Sequence, residues 1–251
     1  MVAFDSLIGL MIIGLATALM LVFSAQARRS PLPVRPIKAM EHLARIVGLT
    51  VEDGRRIHIS FGRGDFLDSH AASTVTNTGL LKEILKRSAG SDRPPSITSG
   101  DGLSTLLAVD TLYSSRQGGI SPDRIDARRG RLAGTTPMSF AAGVLPALQS
   151  EQTSMFIAGG MIGAELSLIL DSAEDESVSI LAAPDSPVGQ AVAFAKPVDV
   201  LLGEEIFALP AYLNMGSIYA ASLLAQDALR WILIIFLVMA GGPSHLELYD
   251  N

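Results

Sequence analysis

No cysteine occurs anywhere in the 251 residues, and that absence removes disulfide frameworks, thiolate metal sites, iron–sulfur clusters and cysteine nucleophiles at once. Charge is scarce as well. Asp, Glu, Lys and Arg make up 18% of the chain with a formal balance of −6, which excludes a globally basic nucleic-acid binder. Histidine is limited to His42, His58, His70 and His245, which are too far apart for a zinc-ligand spacing. The chain has no Gly-x-Ser-x-Gly elbow, no Gly-x-x-x-x-Gly-Lys-Ser/Thr loop and no complete Gly-x-Gly-x-x-Gly fingerprint. A hydrolase triad and a standard phosphate loop therefore lack support.

Apolar residues are abundant, at 49% of the chain, and they gather at the two ends. From Ser6 to Ala25 the sequence SLIGLMIIGLATALMLVFSA carries no charge. About 20 such residues at roughly 1.5 Å rise each cross a hydrocarbon core of about 30 Å. The rival reading is a secretory signal, because Ala25-Gln26-Ala27 resembles a cleavage site. The preceding MVAFD lacks a positive n-region, however, and the apolar run exceeds a typical signal core. Arg28, Arg29, Arg35 and Lys38 follow directly, so the positive-inside bias places the downstream chain in the cytoplasm and the N-terminus outside.

The second apolar run, Trp231 to Ala240, is too short to span alone. Extended upstream to Ser217, it reads as one helix that ends before Gly241, Gly242 and Pro243. Asp227 and Arg230 then form an i,i+3 pair at the cytoplasmic interface, with Trp231 in the headgroup belt. A buried terminal helix and a re-entrant segment are the alternatives. The expected organisation is an N-terminal anchor over residues 1–27, a basic Pro-rich juxtamembrane linker with a short amphipathic helix over 28–54, a cytoplasmic domain over 55–213, a membrane helix over 214–242 and a tail over 243–251. From Gln26 to His58 seven basic residues face three acidic ones, a net of +4 that leaves −10 for the rest. Such a stretch suits an anionic lipid surface.

Between the anchors, strand-like and helix-like pieces alternate. Ile57–Phe61, Ser96–Thr98, Met155–Ala158, Val178–Ala182 and Val198–Leu202 read as strands, and helical spacing marks Leu80–Leu85, Leu103–Tyr113, Ile162–Leu170 and Val188–Ala195. The fold class is therefore α/β, a mostly parallel sheet with helices on both faces, flanked by the terminal membrane helices. Ser121 to Thr136 reads as a long loop, and no internal repeat is evident.

Candidate ligand-binding residues are the glycines and acids at strand ends: Gly62, Gly64 and Asp65; Gly100 and Asp101; Gly159 and Gly160; Gly203, Glu204 and Glu205. In an open α/β sheet, ligands bind beyond the carboxyl ends of strands. Glycine serving a tight turn or a helix cap is the plainer reading of each loop. Asp110 falls among Leu103, Leu106, Leu107 and Tyr113, and Glu165 borders Ile162, Leu166 and Ile169, so both are expected to be partly buried and in need of partners. Convergence with Asp101, Glu204 and Glu205 would make a hard-metal or acid/base cluster, while capping and solvation explain Asp101 and Glu205 more simply. No particular cofactor is indicated.

Gly159-Gly160-Met161-Ile162-Gly163-Ala164-Glu165, Gly203-Glu204-Glu205-Ile206-Phe207-Ala208, Ala211-Tyr212-Leu213 and Ala225-Gln226-Asp227-Ala228-Leu229-Arg230 together resemble an uncharacterised domain family of predicted bacterial and archaeal membrane proteins. The resemblance runs from about Ile57 to Ala240 and implies an α/β domain between membrane helices, but carries no activity. Two functional readings follow. One is a membrane-anchored ligand-binding or assembly scaffold, with the bilayer, a homo-oligomer or another membrane protein as partner. The other is a tethered enzyme for a small, phosphorylated or membrane-derived substrate. A transporter ranks third, because two spans make a pore only through oligomerisation.

Overall fold

The short apolar runs of the central region, rich in Ile, Val and Phe, suit strands covered on both sides. In a computed structural model of the chain they are β1 (Arg56–Gly62), β2 (Ser96–Ser99), β3 (Gly130–Leu132), β4 (Thr153–Met161), β5 (Ser179–Pro184) and β6 (Asp199–Val200). The structure describes residues 2–27, 36–64, 69–89, 91, 93–114, 129–213 and 216–241. Every pairing among the described strands is parallel, in the order β3-β2-β1-β4-β5-β6. The expected α/β sheet is therefore present.

The helices are α1 (Val2–Ala27), α2 (Lys38–Glu52), α3 (Ala71–Arg87), α4 (Gly102–Ser114), α5 (Pro137–Ser150), α6 (Leu166–Asp175), α7 (Pro187–Phe194), α8 (Glu205–Tyr212) and α9 (Ser217–Gly241). Several begin on clear local signals. Thr136 caps α5 in a reciprocal box with Ser139, and Ser186 caps α7, each with Pro at the first helical position. Asp101 Oδ2 accepts from Ser104 N at 2.7 Å at the start of α4.

Helices α5, α6 and α7 cover one face of the sheet around Phe140, Val144, Phe156, Leu166 and Leu170. Helices α2, α3 and α4 cover the other, with α8 packed on α3. In α2 the buried Met40, Leu43, Ile46 and Val47 recur at helical spacing and face β1 and β4. Central strand β1 turns Ile57, Ile59 and Phe61 to one layer and His58 and Ser60 to the other, all buried.

Three sequence expectations change. Within the expected loop of residues 121–136, Gly130–Leu132 is the edge strand β3, paired with Ile97–Ser99; residues 121–128 lie outside the described residues. Helix α6 starts at Leu166 rather than Ile162, because Ile162–Glu165 form the turn leaving β4. Asp110 is exposed, and α4 buries Ser104, Ala108, Thr111 and Leu112 instead. That face packs on α3 and β2, while Leu103 and Leu106 face outward.

Contacts divide the chain into two units, Pro36–Leu213 and the paired terminal segments. In the second unit α1 and α9 pack against each other. Both are long and apolar enough to cross a membrane, over Gly9–Ala27 and Ile218–Met239. Their outward surfaces are apolar, as at Leu10 (71% exposed) and Met239 (73%). Nothing lies within 4 Å of where a side chain on Gly9 or Gly14 would begin, so these glycines are outside the α1–α9 seam.

Candidate functional site

The strand order reverses between β1 and β4, so chain segments leaving their carboxyl ends turn to opposite faces and open a crevice there. Gly62 and Gly160 hold left-handed backbone, with φ of +70° and +88°, and the β1–β4 register shifts between Ser60 and Gly62. A Cβ on Gly62 would lie 2.7 Å from Met161 O, and one on Gly160 would strike Phe61 O. Glycine is needed there for the close approach of two strand ends at a bulge.

Arg63 extends from this bulge. Its Nε donates to Glu165 Oε1 at 2.7 Å, and the two side chains are 14% and 3% exposed. Burial by itself would raise the Glu165 carboxyl, but hydrogen bonds from the Gly163 backbone and from Arg63 outweigh it and hold the group below the usual Glu range. Gly100 N donates to Gly62 O at 2.6 Å, and a Cβ on Gly100 would press on Arg63. Gly62, Gly64, Gly100, Gly159, Gly160 and Glu165 thus meet at one sheet edge.

Beside them is a second polar group. Asp185 follows β5, and its Oδ2 accepts from His70 Nδ1 at 2.9 Å and from Ser73 Oγ, both at the start of α3. Asp185 N donates to Gly160 O at 3.0 Å. Asn77, one turn further along α3, abuts Gly159 and Gly160. The Asn77 amide and Asp185 Oδ1 are buried and have no hydrogen-bond partner among the described residues.

The remaining candidates do not join this edge cluster. Asp101 caps α4, and Glu205 Oε2 accepts from Leu202 N at 3.4 Å within the turn that Gly203 and Glu204 open into α8. Asp65, Arg28 and Arg29 lie outside the described residues. Asp227 and Arg230 approach to 3.7 Å on α9, and Trp231 is exposed. Among the described residues, no three His, Asp or Glu side chains gather as metal ligands would.

Sequence reasoning took in Arg63 only as part of the Gly62-Arg63-Gly64-Asp65 loop and passed over His70, Ser73, Asn77 and Asp185 as site residues. Arg63 stands between Gly62 and Gly64, and Asp185 lies three residues past the strand expected over Val178–Ala182, so polarity near a strand end was an available signal. Ser73 and Asn77 sit four apart on α3 and had none.

Chemically, the arrangement is inward-facing. The phosphate position of this strand order is the start of the helix after β1. Here the Asp185 carboxylate bonds the His70 and Ser73 side chains at that helix start, and the Arg63 Nε donates to Glu165.

A separate buried polar set lies lower on β1. His58 Nδ1 and Nε2 each sit 2.9 Å from a hydroxyl of β2, Ser96 Oγ and Thr98 Oγ1, and the ring stacks on Phe156 at 5.7 Å. Burial pushes the imidazole down to about 3, so it is neutral. Nearby Glu151 accepts from Arg56 at 3.1 Å and Arg131 at 2.5 Å.

No curated protein and no solved structure matches the chain. The family model described as a domain of unknown function, DUF6754, matches residues 2–246, which takes in the central sheet and both terminal apolar helices, and the chain belongs to that family.

Proposed function

We propose that this protein is a membrane-anchored scaffold whose α/β domain binds a ligand or gathers partner subunits at the cytoplasmic surface. The observation that carries this reading is the pairing of α1 with α9, whose outward surfaces are apolar over most of their length, from Leu7 to Val22 and from Trp231 to Met239. Monomeric soluble proteins seldom expose apolar patches beyond a few hundred Å², and lipid is the solvent that suits this one. The family match supports treating both helices and the domain as one architecture, since it includes all three.

The basic residues after α1 support a cytoplasmic domain by the positive-inside bias. The Asp227–Arg230 pair offsets part of its own desolvation cost within α9. Self-association through Gly9, Gly14 and Ala18 of α1 is the simplest assembly route, because small residues let helices approach closely.

The strand order favours a second reading, a tethered enzyme for a small phosphorylated substrate. Against it stands Asp185, which places negative charge where a phosphate would have to go. Native mass spectrometry from mild detergent separates the two readings. The scaffold reading expects a defined oligomer or a stable complex with another protein, and no bound phosphorylated metabolite. A nucleotide or sugar phosphate that co-purifies in stoichiometric amount would replace it with the enzyme reading.

A further inference from the structure

At the amino ends of β5 and β6, opposite the edge described above, a cavity of about 360 Å³ opens between α2, α6 and the turn that follows α7. That volume falls within the range of small-ligand pockets, roughly 300–1,000 Å³. Leu170, Val178, Ile180 and Val198 give it apolar walls. Its charged lining comes from elements distant in sequence. His42 of α2 contacts Asp199 of β6, and Lys196 contacts Asp171 and lies 3.6 Å from Glu174, both on α6.

These pairs are partly exposed, with side-chain exposures from 30% to 59%. Ion pairs of that kind contribute only about 0–1 kcal/mol to folding, so stability alone does not explain why they border one apolar cleft. A carboxylate has about four lone-pair sites and an ammonium three donors, so the internal pairing leaves capacity on both signs. A bare anion would meet Glu174 and Asp199, whereas a bare cation would suit those carboxylates but leave the spare Lys196 donor unused. A molecule carrying both charges avoids that repulsion and uses the Lys196 donor as well.

We infer that this cavity binds a small zwitterion with an apolar body, of the class of an aliphatic α-amino acid. The ammonium is received by Glu174 and Asp199, the carboxylate by Lys196, and the aliphatic group by Val178, Ile180 and Val198. The inference is independent of the membrane-scaffold reading.

Calorimetric titration of the full chain in mild detergent tests it with three probes: L-leucine, isopentylamine without the carboxylate, and 4-methylpentanoate without the amine. Leucine is expected to bind at least about tenfold more tightly than either truncated probe, since losing one charge-assisted contact is worth about 1.4 kcal/mol or more. Val198→Trp, which fills the cleft, is expected to abolish binding, and the surface change Glu174→Gln to weaken it severalfold without affecting folding. No saturable leucine binding, equal binding of leucine and isopentylamine, or unchanged affinity in both variants would each overturn the proposal.

Discussion

Arg63→Met is expected to destabilise the α/β domain by about 3–5 kcal/mol, the usual cost of leaving one member of a buried ion pair uncompensated. Glu165 is 3% exposed on its side chain and relies on Arg63 and the Gly163 backbone for its charge. The Arg63 side chain also packs on Gly100, and Met is chosen because it keeps much of that volume. In Arg63→Met/Glu165→Gln the buried charge is gone, so most of the loss should return. Thermal unfolding in mild detergent of wild type, both single variants and the double variant completes the cycle. A coupling above about 2 kcal/mol is expected for groups in direct contact, and additive single effects would show that the pair does not hold the crevice together.

The second large effect is acid sensitivity set by His58. Its folded pKa of about 3 lies below the unfolded 6.5, so between those values the unfolded chain binds a proton that the folded chain does not. Stability is full above about pH 6.5 and falls as pH drops, by up to about 1.4 kcal/mol per pH unit, approaching about 5 kcal/mol at the bottom of the window. Glu151 and Glu165, both held below the usual Glu range, add their own losses only below their unfolded pKa of about 4.5. Between pH 6.5 and 4.5, the difference between wild type and a non-titrating variant therefore reports His58. In His58→Gln the amide can still bond to Ser96 and Thr98 but does not titrate. It should cost about 1–2 kcal/mol at pH 7.5 through lost stacking and packing, and its unfolding temperature should fall less across that interval than that of the wild type. Parallel wild-type and variant profiles would contradict the assignment.

The sequence disclosed elements where period and composition agreed. Ile57–Phe61 and Met155–Ala158 are apolar runs of strand length, and both are central strands. Helix α9 was legible to within a residue because Gly241, Gly242 and Pro243 mark its end. Edge strand β3 was not, since an edge needs no buried alternation and Gly130–Leu132 is only partly covered. Helix α5 was hidden by Gly143 and Pro146, both poor helix formers. Gly143 is tolerated because a side chain there would run into the Ala133 backbone.

The candidate site was half legible for a related reason. Glycines at strand ends stand out by type, and six of the flagged residues do meet at one edge. Their partners, His70, Ser73, Asn77 and Asp185, come together only through the sheet order, which places the ends of β1, β4 and β5 side by side. No spacing rule within one sequence encodes that neighbourhood. Asp110 failed in the opposite direction, because Leu103, Leu106 and Tyr113 of α4 stay exposed while Ser104, Ala108, Thr111 and Leu112 form its buried face.

The chain's lack of cysteine makes the central claim directly testable, since any introduced thiol is unique. Lys82→Cys on the exposed side of α3 and His245→Cys in the C-terminal tail are labelled with a membrane-impermeant maleimide in intact cells, and the membranes are then washed with alkaline carbonate. The account predicts that both variants stay in the membrane pellet, that His245→Cys is labelled from outside, and that Lys82→Cys is labelled only after permeabilisation. Release of the chain by carbonate, or labelling of Lys82→Cys in intact cells, would contradict an anchored domain on the cytoplasmic face.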